Sequence, residues 1–180
     1  FIVGTDELAS PPEGPIVFQE SDRLIVSVII PTYGEHHVTR RCLASLAEQA
    51  TETAFEVLVV DDAFADPLNL TSMQVSGAEL IRNAQNLGFL RTCNRAVSEA
   101  RGDYILLLNN DTFVHAGAVN ALLESFTHFD NVGAVCAQLR FADGRLQEAG
   151  GIVWSDGSAW NWGRGEHPQD PKFNYPREVD

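Results

Sequence analysis

The chain has few basic residues. Of its 180 residues, 12 are Lys or Arg and 25 are Asp or Glu, which gives a formal net charge of −13 at pH 7 and a pI of about 4.6. Lys172 is the only lysine. Proteins that bind nucleic acid usually display clustered Lys and Arg. The charge balance therefore argues against nucleic acid as a partner.

Cysteines and long apolar segments are also scarce. Cys42, Cys93 and Cys136 are too scattered for a disulfide framework and form no C-x-x-C pair, so a reducing cytosol fits best. No apolar run approaches the ~18 residues of a membrane-spanning helix, and the amino end lacks the basic-then-apolar order of a signal peptide. We therefore expect a cytoplasmic protein. Because the sequence does not begin with Met and stops abruptly, we expect a piece of a longer protein.

The chain does contain enough apolar material for one folded domain. Its hydrophobic content is 44%, and its length corresponds to one domain or most of one. Residues 1–22 are rich in proline, glycine and acids, which predicts a linker or N-terminal arm. The predicted domain covers residues 23–180.

Strand and helix patterns alternate between residues 24 and 139. Continuous β-branched runs predict buried strands, and apolar residues spaced three to five apart predict helices. The predicted strands are 24–30, 55–60, 78–81, 104–108 and 132–139, and the predicted helices lie around 38–47, 89–100 and 118–126. This alternation is typical of an α/β fold with an open, mostly parallel sheet flanked by helices. After residue 140 the pattern becomes irregular.

Polar residues gather where three of these strands end, and open parallel sheets bind ligands at such ends. The first stretch is PTYGE, residues 31–35. Pro31 ends the strand, and Glu35 could cap the next helix. Thr32 and Tyr33 offer hydroxyls and an aromatic face. An ordinary strand-ending turn explains the stretch equally well.

The second stretch begins with Asp61 and Asp62, directly after the strand 55–60. A carboxylate in this place can accept hydrogen bonds from ribose hydroxyls or from a base N–H. Two adjacent carboxylates that both faced a dry core would be costly, so at least one must meet solvent, a donor or a cation. The alternative is that the pair only opens a loop.

The third stretch is LLLNNDT, residues 106–112, where a run apolar enough for the middle of a sheet ends on two amides and a carboxylate. Such oxygen ligands suit Mg²⁺ or Mn²⁺, which also takes oxygens from a substrate phosphate. Asp111 would be the charged ligand, beside Asn109 and Asn110. Alternatively, the three residues form an Asx-type turn that leads to the next helix.

A fourth stretch, NLGFLRTCNRA, opens the second predicted helix at residues 86–96. Gly88 lets the backbone approach a ligand closely, and Arg91 and Arg95 can meet phosphate charge. Arg95 fits a solvated helix position equally well.

In order and spacing, these stretches resemble the motifs of the family-2 glycosyltransferases, which have the GT-A fold. SVIIPTYGE is similar to the amino-terminal signature, EVLVVDDAFAD to the acidic turn, NLGFLRTCNRA to N-x-G-F-x-x-x-x-N, and GDYILLLNNDT to the segment with the metal-binding D-x-D element. GRLQEAGGIVW and WGRGEHPQDPKFNYPREVD resemble the rhamnosyltransferase-like branch. The resemblance runs from about residue 25 to the last residue.

The resemblance implies an inverting, metal-assisted transfer of a hexose or deoxyhexose, rhamnose included, from a nucleoside-diphosphate sugar to a glycan or lipid-linked glycan. It implies that the nucleotide-sugar site contains Pro31, Thr32, Tyr33, Glu35, Asp62, Gly88, Arg91, Asn110 and Asp111. Asp62 would meet the base or ribose, and Asp111 would hold Mg²⁺ or Mn²⁺ on the diphosphate. The implied setting is polysaccharide biosynthesis at the inner face of the membrane, with peripheral association through parts outside this chain.

The chain departs from the family pattern at three of these positions. Gly34 stands where the family commonly has Asn, and Phe64 stands where it usually has Ser. Asn109 occupies the first position of D-x-D, which leaves metal binding to Asp111.

The catalytic base is not assigned. The family's base lies in an E-D element farther along than residue 180, and the nearby carboxylates of Glu148, Asp156 and Glu178 do not match it. We therefore expect the chain alone to be inactive. A non-catalytic nucleotide-sugar binding module is one alternative. A receiver-like phosphoacceptor domain is another, although its acid pair should follow the first strand rather than the second.

Overall fold

A computed structural model of the protein describes residues 2–4, 13–49 and 53–175. The chain divides into two compact units, residues 10–112 and residues 1–9 with 113–180. We call the first the α/β unit and the other the second unit.

The described residues form short strands, three α-helices and one 3₁₀ turn. The strands are β1 (Ile2–Gly4), β2 (Ile16–Val17), β3 (Val26–Thr32), β4 (Phe55–Asp61), β5 (Val75–Ser76), β6 (Glu79–Arg82), β7 (Tyr104–Leu107), β8 (Thr112–Val114), β9 (Leu139–Arg140), β10 (Leu146–Glu148), β11 (Gly151–Val153) and β12 (Ala159–Asn161). The helices are α1 (His36–Ala47), α2 (Phe89–Val97) and α3 (Ala118–His128), and the 3₁₀ turn is Pro171–Phe173. Within this part of the chain, no helix combines the length and the apolar character needed to cross a bilayer.

The main sheet of the α/β unit has four parallel strands in the order β6-β4-β3-β7. Thr32 lies opposite Asp61, and Asp61 lies opposite Arg82, so the polar residues at these strand ends share one edge of the sheet. The chain builds outward from β3 to β4 and β6, and then returns to place β7 on the other side of β3. The strand order therefore reverses between β3 and β7. The predicted parallel α/β sheet is confirmed.

The core of the α/β unit lies around β3 and β4. All seven residues of β4 are buried, as expected for a parallel strand covered on both faces. Ile29, Leu58, Val60 and Ile81 pack with Ala96 of α2 into one apolar cluster. The predicted strands 24–30 and 55–60 and the predicted helices around 38–47 and 89–100 are confirmed, with boundaries that differ by a few residues.

The strand β7 lies at an edge of this sheet. Among the described residues it pairs only with β3. Ile105 is 40% exposed and Leu107 is 51% exposed, although Leu108 just beyond the strand is buried. The predicted strand 104–108 is confirmed as β7, and among the described residues it is an edge strand although its sequence is apolar.

The segment predicted as a linker or arm includes packed residues. β2 pairs in parallel with β5, and the side chains of Ile16 and Phe18 are buried. The absence of a side chain at Gly77 allows β2 and the following Phe18 to lie this close to β5, because a Cβ at Gly77 would lie 2.0 Å from the carbonyl oxygen of Phe18. Residues 1 and 5–12 of the segment lie outside the described residues.

The second unit has a four-stranded sheet in the order β10-β9-β1-β8 and a separate hairpin of β11 and β12. Leu146 and Phe173 are buried in it, and the Trp162 ring packs edge-on against Phe173 at 6.0 Å. The predicted strand 132–139 is wrong: only Leu139 and Arg140 join a ladder. The preceding residues are apolar in sequence, but they are at most half-buried and lack the strand pairing that such a run needs.

A buried acid fastens the amino-terminal end of the main sheet. Glu56 on β4 accepts hydrogen bonds from Ser27 Oγ at 2.6 Å and from the backbone N–H of Arg101 at 2.7 Å. The Arg101 guanidinium lies 2.6 Å from the same carboxylate. Gly102 allows this approach, because a Cβ there would lie 2.6 Å from the nitrogen of Ser27. Burial raises the pKa of Glu56, but the hydrogen bonds from Ser27 and Arg101 outweigh it, and the net pKa lies below its usual range.

We predict that Glu56→Gln lowers the free energy of unfolding at pH 7 by about 1.5–3 kcal/mol, because a buried charged hydrogen-bond acceptor is lost. The folded-state pKa of Glu56 is depressed, so its contribution is fully present above the unfolded pKa and is lost as the pH falls through the folded value. Urea unfolding at several pH values should show the two proteins converging in acid. Glu79→Gln, at an exposed site on β6, is the matched control. A difference that persists unchanged in acid would contradict the assignment.

Candidate functional site

A cleft of about 370 Å³ lies at the carboxyl ends of β3, β4 and β7. This volume falls in the range of small-molecule sites. Its lining consists of Pro31, Thr32, Tyr33, Glu35, Val38, Asp62, Phe89, Thr92, Asn110 and Asp111. The structure thus brings together the polar ends of three strands at the point where the strand order reverses, which is where open α/β sheets bind ligands.

Asp61 faces away from this cleft and holds the loop after β4. Its Oδ1 accepts from the backbone N–H of Phe64 at 3.1 Å, and its Oδ2 accepts from that of Leu68 at 3.2 Å. The guanidinium of Arg82, opposite Asp61 in the next strand, forms an ion pair with Oδ2. The first carboxylate of the pair is therefore satisfied inside the protein.

Asp62 lines the cleft, but its carboxylate is also largely committed. Oδ1 accepts from Asn83 Nδ2 at 2.7 Å and from the backbone N–H of Leu87 at 2.8 Å, and Oδ2 accepts from the N–H of Gly88 at 2.9 Å. Burial raises the pKa of Asp62. The hydrogen bonds from Leu87, Asn83 and Thr92 together lower the pKa by more than burial raises it, so the net pKa is below its ordinary value. Asp62 is thus an ionised group that positions the loop before α2.

Asn110 joins three segments of the cleft wall. Its Nδ2 donates to Thr39 Oγ1 at 3.0 Å and lies 3.4 Å from Thr32 Oγ1. The two threonine hydroxyls lie 3.1 Å apart, and Thr32 Oγ1 also donates to the carbonyl of Gly34 at 3.1 Å. This buried network ties β3, α1 and the residues after β7 together, which leaves these polar groups satisfied in place.

Asp111 is different, because its side chain is exposed and no described residue donates a hydrogen bond to it. The residues 109–112 form a backbone turn in which the N–H of Thr112 donates to the carbonyl of Asn109 at 3.2 Å, and β8 follows directly. The Asx-type turn leading to a helix is therefore wrong. Asp111 is left with its charge directed to solvent at the cleft.

A divalent cation fits this site only with help from a ligand. The described residues contain no group of three or more His, Cys, Asp or Glu side chains placed to hold a metal. The free carboxylate of Asp111 is a suitable hard ligand, but a single carboxylate makes a weak site. Diphosphate oxygens would have to supply much of the remaining coordination.

Glu35 is the N-cap residue of α1, but its side chain makes no capping hydrogen bond. The prediction that it caps the helix is therefore wrong. Glu35 and Gly34 both adopt left-handed backbone conformations, with φ of 49° and 76°. This turn leaves the Glu35 side chain exposed at the cleft. Tyr33 is 56% exposed beside it.

Phe89, Val38 and Thr92 line the cleft, although the sequence did not single them out as site residues. Phe89 is the first residue of α2, and it is 58% exposed although it is apolar. Its place directly after Gly88, at the end of the loop that Asp62 holds, is the signal that could have indicated it. Gly88 and Arg91 do not line the cleft; Gly88 contributes through its N–H to Asp62.

The charge of the cleft is negative. Three of its lining residues are acids, Glu35, Asp62 and Asp111, and none of its described lining residues is Lys, Arg or His. Both α1 and α2 begin at the cleft, and helix N-termini favour anions. Their partial charges oppose those of the three carboxylates, so a bare diphosphate would meet repulsion that a bound cation can offset.

A larger cleft of about 510 Å³ lies elsewhere on the α/β unit, with His36, His37 and Arg40 among its lining residues. The Arg40 guanidinium already donates to the carbonyls of Met73 and Gly14. This cleft lacks the convergent strand ends of the first.

The fold and the cleft at the strand-order reversal define a GT-A domain. The chain matches the model of "Glycosyl transferase family 2" over residues 27–174, and it therefore belongs to that family. The mannosyltransferase PcManGT from Pyrobaculum calidifontis, solved with GDP-Man and Mn²⁺, has this fold as well, with a TM-score of 0.52 and 24% identity over 64% of this chain and 36% of that chain.

Several of the similar proteins carry the name of an N-acetylglucosaminyltransferase. The chain is 31% identical to an N-acetylglucosaminyltransferase of Bradyrhizobium elkanii over 63% of this chain and 65% of that protein. It is 34% identical to the poly(ribitol-phosphate) beta-N-acetylglucosaminyltransferase TarS of Staphylococcus aureus over 49% of this chain and 16% of that protein. The chain spans 15% and 32% of the length of two uncharacterized relatives, from Sinorhizobium fredii and Mycobacterium tuberculosis. Family membership favours the glycosyltransferase prediction over the receiver-like alternative.

We predict that Asp62 and Asp111 differ sharply in their effect on stability. Asp62→Ala should lower the free energy of unfolding by about 1–3 kcal/mol, because it leaves buried donors without an acceptor. Asp111→Ala, the matched control, should change it by less than about 0.5 kcal/mol. Amide hydrogen exchange should accelerate at Leu87 and Gly88 in the first variant only. Equal destabilisation by both changes would contradict the described hydrogen bonds.

Proposed function

We propose that the parent protein is an inverting glycosyltransferase. It would transfer a hexose or deoxyhexose from a nucleoside-diphosphate sugar to a glycan or lipid-linked glycan acceptor. The observation that carries this proposal is the cleft at the carboxyl ends of β3, β4 and β7, in a chain that belongs to glycosyl transferase family 2. The cleft combines an exposed aromatic ring, a free carboxylate and two helix N-termini, which together suit a nucleotide diphosphate.

Each part of the cleft has a proposed role toward the donor. Tyr33 offers a ring face to the nucleobase, and Pro31 and Thr32 form the wall behind it. Asp62 keeps the loop before α2 in place through the N–H groups of Leu87 and Gly88, which sets where Phe89 meets the cleft. Contact of Gly88 itself with the nucleotide stays a prediction. With most of its lone pairs engaged, Asp62 has at most one acceptor position left for a ribose hydroxyl or a base N–H.

The negative cleft supports a metal requirement. Asp111, with Asn110 fixed beside it, would hold Mg²⁺ or Mn²⁺ together with the diphosphate of the donor. When bound, such a cation neutralises charge on the departing diphosphate. Arg91 is exposed on α2 outside the described cleft lining, so its contact with phosphate stays a prediction.

The sugar and the acceptor belong to the proposal as well. The two resemblances after residue 143 support a rhamnosyltransferase-like branch, whereas the names of the relatives point to N-acetylglucosamine or mannose. Transfer of rhamnose, N-acetylglucosamine or mannose would each fit polysaccharide biosynthesis at the cytoplasmic face of a membrane, with peripheral association of the parent protein.

Binding without transfer is the second candidate for the chain alone. Of the three acids in the cleft, Asp62 is committed to internal hydrogen bonds and Asp111 is the proposed metal ligand. The remaining acid, Glu35, follows β3 at the start of α1. None of them matches the E-D element that holds the family's base. We therefore propose that the 180-residue chain binds donor but does not transfer sugar.

We predict that calorimetry with dTDP-rhamnose, UDP-N-acetylglucosamine and GDP-mannose will find one donor that binds at least about tenfold more tightly with Mn²⁺ than with EDTA, which corresponds to about 1.4 kcal/mol. Asp111→Asn should abolish this difference, because it removes the free carboxylate. Asp103→Asn, an exposed acid at the other end of β7, is the matched control and should retain it.

The same titrations discriminate the outcomes. Metal-dependent binding that survives in Asp111→Asn would remove Asp111 from the metal site. Failure of all three donors to bind wild-type protein would contradict the proposed nucleotide-sugar cleft. Product formation by the 180-residue chain with a glycan acceptor would contradict the proposal that it only binds.

A further inference from the structure

Phe64 lies behind the exposed ring of Tyr33. The two rings pack edge to face, with centroids 5.0 Å apart and an interplanar angle of 79°. Such aromatic pairs gain from the attraction between the edge of one ring and the face of the other. Phe64 itself is half-buried and is not among the residues that line the cleft.

The Phe64 ring fits where it does because residue 34 has no side chain. A Cβ on Gly34 would lie 2.9 Å from Cζ of Phe64 and 3.0 and 3.1 Å from its two Cε atoms. Real Cβ atoms essentially never come within 3.0 Å of another heavy atom, so a side chain at residue 34 would require the ring to move. Gly34 and Phe64, both departures from the family pattern, are therefore one steric unit.

The backbone of Phe64 is fixed from the opposite side. Its N–H donates to Asp61 Oδ1 at 3.1 Å, and its carbonyl accepts from Arg82 Nη2 at 2.9 Å. Asp61 and Arg82 are themselves an ion pair, and Asp61 is buried. Asp61 and Arg82 thus fix the backbone of Phe64, and its ring lies against the rings of Tyr33 at 5.0 Å and His36 at 6.5 Å.

We infer that Phe64 is a positioning residue for nucleotide binding: it fixes the angle of the Tyr33 ring at the cleft and thereby sets the affinity for the nucleoside part of the donor. This inference rests on the proposed function. It adds a residue outside the cleft lining whose effect on the ligand passes through Tyr33. An aromatic platform that is already held in place loses less conformational entropy on binding than a mobile ring does.

The first test needs no ligand. With ring-labelled tyrosine, NMR should resolve three tyrosine signals, and Tyr33→Phe identifies the signal of Tyr33. Phe64→Leu keeps an apolar side chain against Gly34 but removes the aromatic edge. It should shift or broaden the Tyr33 signal and leave those of Tyr104 and Tyr175 unchanged. An unchanged Tyr33 signal would overturn the inference, whatever the nucleotide results.

The second test is a double-mutant cycle with UDP, GDP and dTDP, each titrated with Mn²⁺. For the nucleotide that binds wild-type protein most tightly, Phe64→Leu should weaken binding by about threefold to tenfold, the range expected for an aromatic pair. In a Tyr33→Ala background, the same change should have less than a twofold effect. A purely structural role would instead give independent, additive losses.

Phe18→Leu is the matched control, because Phe18 also packs edge to face with a ring, Phe55, at 6.1 Å. It should lower the unfolding temperature without changing nucleotide affinity. Additive effects of Phe64→Leu and Tyr33→Ala would overturn the inference while leaving the proposed function intact. If none of the three nucleotides binds wild-type protein, the proposed function fails, and the role of Phe64 in nucleotide affinity fails with it.

Discussion

Two adjacent carboxylates at the end of a buried strand impose the constraint on which the cleft depends. Neighbouring residues of an extended segment point to opposite sides, so Asp61 and Asp62 must find separate partners. Asp61 is paired with Arg82 and the loop after β4, whereas Asp62 is bonded to Asn83 and the loop before α2. Each buried charge thus organises one loop: Asp62 holds the loop before α2 beside the cleft, and Asp61 holds the loop after β4, whose Phe64 packs against Tyr33 of the cleft.

Some polar groups of the cleft are bonded within the protein, and others are exposed and available to a ligand. The carboxamide of Asn110 and the hydroxyls of Thr32 and Thr39 satisfy one another within a buried network. Asp111 and Tyr33 remain exposed at the cleft. Most of the polar residues that follow the strands therefore hold the cleft in shape, and a smaller number present chemistry to a ligand.

The parallel sheet and the convergence of its strand ends could be predicted from the sequence, because both follow from apolar periodicity and strand order. The alternation of buried runs with helical faces located β3, β4, α1 and α2. Residues 132–138 were predicted as part of a strand from their apolar composition, but that composition does not reveal whether a neighbouring strand is available to pair with them. The hydrogen-bond partners of Asp62 could not be predicted from the sequence, because they depend on how the loop before α2 folds back. The close contact between Gly34 and Phe64 could be found only from coordinates.

The contact between Gly34 and Phe64 has a consequence for the history of this chain. A side chain at position 34 is incompatible with the present placement of the Phe64 ring, since a Cβ on Gly34 would lie 2.9 Å from it. Homologues should therefore vary at these two positions together, with a bulky residue at one and a small residue at the other.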